Sequence, residues 1–309
     1  MGADAPALER SAVRALVTGA HGFVGSWLVP YLASQGDDVH PMDRSVDVRD
    51  CAGVAAAVTS YCPDAIYHLA GFTHVGLSWE QPQTALEVNA IGALNVLEAA
   101  RKCTRIPRVL LLSSAEVYGE VSEKDLPLAE PSPARPVTPY AVSKVAVEYL
   151  GLQAYLAHGI PVITARPFNH VGPGQPLSFF VPALAQRILD AMRLGQATVA
   201  AGNLSSRRDF TDVRDVVRAY RMLIEKGEPG ETYNVCTGQD ASMASVAKLM
   251  AELAGLKVEI TQDPSLVRPV DIPVLRGDPG KLKAATGWDP AYPLHDTLQD
   301  VIEWRRSAG

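Results

Sequence analysis

Short apolar runs alternate with longer helical stretches through the first half of the chain. Arg14–Thr18 is an apolar run that leads directly into Gly19-Ala20-His21-Gly22-Phe23-Val24-Gly25, and a helical pattern follows to about Gln35. Asp38–Met42 predicts a second strand, Cys51–Tyr61 an Ala/Val-rich helix and Asp64–Leu69 a third strand. Glu80–Lys102 carries a long helical pattern. Arg108–Leu112 predicts a fourth strand, Pro139–His158 a helix and Pro161–Arg166 a fifth strand. Strands that alternate with helices in this rhythm form βαβ crossovers and a parallel sheet. The strands read as continuous apolar runs, as expected when helices cover both faces of the sheet.

After Arg166 the texture changes. Pro and Gly cluster over Pro167–Pro176, a helix is predicted at Phe180–Leu194 and a short strand at Thr198–Ala201. Asp212–Lys226 predicts a helix and Glu231–Val235 a strand that rejoins the first sheet. The expected organisation is a parallel-sheet unit over 1–168, to which 210–235 returns. A smaller lobe is expected over 169–209 and 236–309. No internal repeat or low-complexity tract interrupts it.

Composition narrows the partners. Apolar residues make up 47% and charged residues 20% of 309 residues, the balance of a folded globular chain. Lys and Arg number 28 against 34 Asp and Glu. That acidic balance argues against nucleic acid, since phosphate backbones recruit excess basic residues. The longest apolar runs, such as 109–112, are far below the roughly 20 residues of a membrane span. Cys51, Cys62, Cys103 and Cys236 form no C-x-x-C pair, so neither a zinc knuckle nor a redox motif is written, and no metal site is expected. They read as buried or half-buried free thiols in a reducing compartment. The opening MGADAPALERSA lacks the pattern of a signal peptide and reads as a frayed arm, which makes the cytoplasm the expected location.

The glycine triplet Gly19, Gly22 and Gly25 matters because it lies between a strand and a helix. Glycine permits positive φ at the turn and a close approach of the backbone to a pyrophosphate. The helix N-terminus offers free N–H groups to the phosphates. The prediction is a Rossmann-type doubly wound α/β fold that binds NAD or NADP; the competing reading is a tight turn without a ligand. Asp43 lies 24 residues after Gly19 and can accept hydrogen bonds from a ribose hydroxyl, which favours NAD. Arg44 follows and can face a 2′-phosphate instead. Asp47 and Val48 can reach the adenine, although a solvated loop acid reads equally well.

Tyr140-x-x-x-Lys144 falls on a predicted helix, so both side chains project from one face. A phenol titrates near ~10, and a neighbouring ammonium lowers that value. Reaching ~7 requires differential stabilisation on the order of 4 kcal/mol. A tyrosine so tuned exchanges a proton with a carbonyl or alcohol oxygen. Ser113 and Ser114 follow the fourth strand, where a parallel sheet presents residues to its ligand. Y-x-x-x-K alone also occurs by chance in helices; its conjunction with the glycine loop and the strand-end serine carries the weight.

TGAHGFVG, DVRD, HLAG, SSAEVYG, PYAVSK, RPFNHVGPGQ, RRDFTDVRDVV and RPVDIP follow one another along nearly the whole chain. In that order they resemble the extended short-chain dehydrogenases/reductases that act on nucleotide sugars. The resemblance implies a catalytic Ser114, Tyr140 and Lys144. It implies Gly19, Gly22, Phe23, Val24 and Gly25 along the pyrophosphate, Asp47 and Val48 at the adenine, and Leu69, Ala70 and Gly71 beneath the cofactor. Lys144 would also hold the nicotinamide ribose, and Pro167 would pass the nicotinamide.

On the substrate side, Arg208 and Arg268 suit a diphosphate and Asp271 a ribose, although each alone reads as a surface ion-pair member. By the resemblance, RRDF and RPVD supply those contacts, Asn169 is a nucleotide ligand and Val181 lies near the base. RPFNHVGPGQ is similar to the GDP-4-keto-6-deoxy-D-mannose reductases, which form GDP-D-rhamnose. Related dehydratases carry two arginines where this chain has Gly174-Gln175, and a lysine near Leu184. A 4,6-dehydratase needs an acid or hydroxyl before its glutamate; here Ala115 precedes Glu116, which remains a candidate base or a retained hydrogen-bonder. Reduction is the expected reaction, with dehydration, 4-epimerisation and non-catalytic dinucleotide sensing as alternatives. The helices over Glu80–Lys102 and Pro139–His158 imply a homodimer through a four-helix interface; the competing reading is burial within the monomer.

Overall fold

The structure is a computed structural model that describes residues 12–42, 44–266 and 272–308. Asp43, Arg268, Asp271 and nearly all of the expected N-terminal arm lie outside the described residues. The first lobe comprises β1 (Arg14–Thr18), α1 (Phe23–Ser34), β2 (Asp38–Pro41), α2 (Cys51–Tyr61) and β3 (Ala65–His68). It continues through α3 (Pro82–Leu86), α4 (Gly92–Arg101), β4 (Arg108–Leu112), α5 (Pro139–His158) and β5 (Val162–Pro167). Then follow β6 (Asn169–Val171), α6 (Phe180–Leu194), β7 (Thr198–Ala201), β8 (Arg207–Asp212), α7 (Val213–Lys226) and β9 (Thr232–Val235). The chain ends with β10 (Asp240–Ser242), α8 (Met243–Ala254), β11 (Glu259–Gln262), β12 (Val274–Leu275), α9 (Gly280–Thr286) and α10 (Leu294–Ala308).

The main sheet has six strands in the order β2-β1-β3-β4-β5-β9, and every pair is parallel. The period of two along each strand divides its side chains between two helical layers. Val17, Ala65 and Tyr67 face α1 and α7, where Leu28, Leu32, Val216, Tyr220 and Trp288 complete one core. Leu16, Ile66 and Leu111 face the opposite layer with Val54, Val96 and Val147. The chain runs outward from β1 to β2 and then crosses back to β3. That reversal opens a crevice beyond the carboxyl ends of β1 and β3, the usual ligand position in an open α/β sheet.

β6, β8, β10 and β12 form a small second sheet, and β7 pairs with β11. They enclose a separate core with α6, α8 and α10, built on Leu184, Ile188, Val246, Met250, Leu298 and Ile302. A fourth cluster joins the lobes: Val117, Tyr118, Leu128, Phe168, Cys236 and Leu275. β9 pairs with β5 in the main sheet and α7 packs with α1 in the first core. β8 extends through Phe210–Asp212 and pairs with β6.

Two expectations change. The long helix expected over Glu80–Lys102 is broken: a π-helical turn over Glu87–Ile91 separates α3 from α4. The extra residue of that turn lets Asn89 point inward, where it is 1% exposed. Cys103 and Cys236 are buried as expected, but Cys51 and Cys62 are exposed, at the start of α2 and just past its end. All four are free thiols. No helix among the described residues is long and apolar enough to cross a membrane.

Leu110, at the centre of β4, is fully buried. Leu110→Ala leaves a cavity between strand neighbours that cannot close around it. The expected loss is about 2–5 kcal/mol of unfolding free energy, read by urea denaturation.

Candidate active site

Gly19 ends β1 with φ +65°, and a Cβ there would meet the backbone nitrogen of Ala70 at 2.6 Å. A Cβ on Gly25 would sit 2.4 Å from the Gly19 carbonyl oxygen and 2.5 Å from that of Ala20. Both positions therefore exclude any side chain, and the first turn of α1 is drawn tight against β1 and β3. The Gly22 N–H donates to the Gly19 carbonyl at 2.9 Å. As the N-cap, Gly22 supplies no side-chain oxygen, so the first N–H groups of α1 keep their capacity for an anion. A cavity of about 280 Å³ lies in front of them, lined by Gly19, His21, Gly22, Met42, Arg44, Val46, Val48 and Ala70. The cradle that side chains would fill, the uncapped helix end and the cavity together fit a dinucleotide.

Arg44 lines that cavity and donates to the His21 carbonyl at 3.2 Å. Val48 lines it too, while Asp47 turns to Arg49, whose Nη2 lies 2.6 Å from its carboxylate. The hydrogen bonds from Arg49 hold the Asp47 carboxyl down at about 2. Phe23 stacks against His170 of β6, centroid to centroid 6.0 Å, and so joins the glycine loop to the second lobe. Val24 packs into the core beneath it.

Ser114, Tyr140 and Lys144 come together at the carboxyl edge of the sheet. Ser114 leaves β4 and accepts the Glu116 N–H at 3.2 Å, capping a short 3-10 turn over Ala115–Tyr118. Thr138 caps α5 by accepting the Ala141 N–H, with Pro139 at the first helical position, and this presents Tyr140 in the first turn. Tyr140 and Lys144 are 8% and 7% exposed. The Lys144 ammonium donates to the Leu112 carbonyl at 2.9 Å and lies 5.8 Å from the Tyr140 ring centroid. A Cβ on Gly71 would approach the same ammonium to 3.5 Å, which places Gly71 beside it.

The electrostatics correct one expectation. Burial pushes the Tyr140 phenol up to about 12; the Ser114 hydroxyl opposes the shift and the Glu116 carboxylate adds to it. Burial outweighs the lowering expected from Lys144, whose ammonium donates to the Leu112 carbonyl and lies 5.8 Å from the ring centroid. Burial also depresses Lys144, to about 8. Tyr140 is thus a protonated donor at neutral pH. That suits delivery of a proton to an oxygen that gains negative charge.

The remaining expected residues are spread more widely. Pro167 ends β5, buried and paired with Val235 of β9. Asn169 is half-buried at the start of β6. Leu69 packs on the first core, and the Ala70 N–H donates to the Thr18 hydroxyl at 3.1 Å. Arg208 is 5% exposed and donates to the Arg207 carbonyl at 2.9 Å. Val181 is 2% exposed and packs within the second core on α6.

Three polar groups escaped the sequence reading. Asn89 accepts the Phe72 N–H at 2.8 Å and donates to the Ser143 hydroxyl at 2.8 Å, tying the loop after β3 to α5. His68 lies 2.8 Å from the Thr18 hydroxyl, and burial followed by the Lys144 charge holds its imidazole down at about 3, so the ring is neutral. Ser78 accepts the Tyr140 N–H at 3.2 Å. Only a lone asparagine inside an apolar helical run signalled any of them.

A parallel sheet with this switch point, a glycine cradle after its first strand and a buried Ser/Tyr/Lys group define an extended short-chain dehydrogenase/reductase of the nucleotide-sugar type. The family model described as GDP-mannose 4,6 dehydratase matches residues 44–301, and the chain belongs to that family. It is 37% identical to GDP-6-deoxy-D-mannose reductase of Pseudomonas aeruginosa, over 94% of this chain and 97% of that protein. It is 34% identical to GDP-6-deoxy-D-talose 4-dehydrogenase of Aggregatibacter actinomycetemcomitans, over 90% of this chain and 92% of that one. The solved structure of RMD from Pseudomonas aeruginosa complexed with NADPH superimposes with a TM-score of 0.90 at 36% identity, covering 96% of this chain and all of that one.

The Lys144 shift has a consequence for stability. Between about pH 8 and pH 10.5 the unfolded chain keeps a proton that folded Lys144 has released, so stability rises with pH across that window. Lys144→Met removes the effect. The wild-type advantage over the variant is expected to grow by up to roughly 3 kcal/mol from about pH 7 to about pH 10 in paired urea titrations. A difference that stays flat contradicts the burial of the ammonium.

Proposed function

We propose that the protein reduces the 4-keto group of GDP-4-keto-6-deoxy-D-mannose to give GDP-D-rhamnose, with NADPH or NADH as reductant. The observation that carries the reading is the buried Tyr140 beside Ser114 and Lys144 at the edge of the dinucleotide cradle. The reduced nicotinamide supplies the hydride to carbon-4. Tyr140 hands its proton to the carbonyl oxygen as that oxygen becomes an alcohol. Ser114 orients the oxygen by hydrogen bonding, and the Lys144 charge favours the phenolate that remains. The α1 N-terminus and the glycines hold the pyrophosphate. Arg44, at the cavity wall, favours a 2′-phosphate and hence NADPH.

The neighbourhood of Glu116 supports reduction over dehydration. Ala115 is an apolar, 3% exposed residue where a dehydratase needs a donor or acceptor beside its base. Leu184 is fully buried in the second core, and Gln175 donates its amide to the His170 carbonyl at 3.0 Å. Neither offers a cation to the substrate.

Incubation with NADPH and the GDP-keto sugar is expected to consume the near-ultraviolet absorbance of reduced nicotinamide, with GDP-D-rhamnose identified by NMR. Tyr140→Phe is expected to lower kcat by about 10²–10⁴-fold with cofactor affinity retained. A bound cofactor with no turnover contradicts the reading, and a GDP-talose product would correct the stereochemistry. A keto sugar formed from GDP-mannose with NADP alone would favour a dehydratase. UDP-galactose converted to UDP-glucose would favour an epimerase.

The active form is a homodimer in the cytoplasm, a setting in which free thiols persist. α5 buries one side and carries apolar residues on another: Ala141, Val147 and Ala154 face inward, while Val142, Tyr149, Leu152 and Leu156 are exposed. Tyr149 at 66% and Leu156 at 73% exposure supply the apolar face of a four-helix interface. Small-angle scattering is expected to give a dimeric mass, and Tyr149→Glu with Leu156→Glu a monomeric one. A monomeric wild type at micromolar concentration contradicts the interface.

A further inference from the structure

Tyr140, Lys144 and Glu148 recur at every fourth position of α5 and therefore share one face of the helix. The first two belong to the candidate active site; the third lies one turn deeper. Its side chain is 10% exposed, and that of Arg166, on β5, is 9% exposed. Arg166 grips it with two parallel hydrogen bonds, Nε to Oε1 and Nη2 to Oε2, both at 2.7 Å. Glu148 Oε1 also accepts the Ser113 hydroxyl at 2.5 Å. On its other side, Arg166 Nη1 donates to the Tyr118 hydroxyl at 2.9 Å and to the Glu130 carbonyl at 3.0 Å. The Tyr118 hydroxyl in turn donates to the Asn234 side-chain carbonyl oxygen at 2.8 Å.

Three backbone segments of the site meet this pair. Ser113 immediately precedes Ser114. Tyr118 ends the 3-10 turn that carries Glu116. Arg166 immediately precedes Pro167, and Asn169 follows in the next strand. Burial acts to lower the Arg166 value, and Glu148 more than reverses it, so the guanidinium stays charged. A buried ion pair of this kind adds little net stability over apolar packing, but its forked geometry fixes the angle between the elements that hold it.

We propose that the Glu148–Arg166 pair is a positioning device for the reaction, holding Ser114 and the Glu116 turn at a set distance from Tyr140. This rests on the catalytic reading of Ser114 and Tyr140. Glu148→Gln replaces one acceptor by a donor facing the guanidinium, and Glu148→Asp keeps the carboxylate on a shorter stem.

The test uses the full-length protein, with rates normalised to the folded, cofactor-binding fraction. Glu148→Gln is expected to lower kcat on the order of 10²-fold, while the KM for the keto sugar and the dissociation constant for NADPH stay near wild type. Glu148→Asp is expected to recover part of the loss. A folded Glu148→Gln protein with wild-type kcat overturns the proposal, as does a loss that Glu148→Asp leaves untouched, which is the behaviour of a mere strut. Should Glu148→Gln fail to fold, Ser113→Ala decides. It severs the serine link alone, and a wild-type kcat there overturns the proposal, whereas a lower kcat at unchanged KM and unchanged Tm supports it. Ser114→Ala separates the two levels: full activity in that variant removes the catalytic reading itself. Activity lost there but kept in Glu148→Gln and Ser113→Ala strikes only the positioning role.

Discussion

Burial of two ionisable side chains at the head of one helix is the constraint on which the site depends. Tyr140 and Lys144 lie in the first turns of α5, nearly out of water. Desolvation disfavours the charged form of each, so the phenol moves up to about 12 and the ammonium down to about 8. The same physics leaves one group a protonated donor and the other a cation close to its limit. A protein that must hand a proton to a nascent alkoxide needs the first property. The second is helped by the Leu112 carbonyl, which accepts from the Lys144 ammonium at 2.9 Å.

The fold supplies that environment through topology. The reversal between β1 and β3 opens the crevice, and Gly19 and Gly25 let α1 approach closely enough for its N-terminus to form one wall. β4 and β5 deliver Ser114 and Pro167 to the same edge. The second lobe is joined there by the stacked rings of Phe23 and His170 and by the hydrogen bond from the Trp27 indole to the Pro173 carbonyl at 3.0 Å. A nucleotide sugar seated between the lobes would therefore meet the cofactor cradle and the proton donor together.

Much of this was legible in the sequence, and the reasons are local. Strands buried on both faces are continuous apolar runs, so β1 and β4 were found with their observed ends. α5 was bounded as observed because Thr138 caps it, Pro139 starts it and Gly159 stops it with φ +66°. The π-helical turn was not legible, since an extra residue changes the hydrogen bonding without breaking the apolar pattern. The packing of Val181 in the second core was not legible either, because a buried and a half-buried valine look alike in sequence. Nor did spacing reveal that Asp47 is held by Arg49, or that the Lys144 ammonium donates to the Leu112 carbonyl. Such choices depend on side-chain direction, which the pattern of residue types does not encode.

The central claim is that reduction occurs at carbon-4 of the sugar, with Tyr140 as the proton source. Transfer from NADPH carrying deuterium at the reactive carbon of the nicotinamide, followed by NMR of the product, tests it most directly. The account predicts deuterium at carbon-4 of GDP-D-rhamnose, and its near-complete loss in Tyr140→Phe. Deuterium at another carbon, or label transfer undiminished without the phenol, would contradict it.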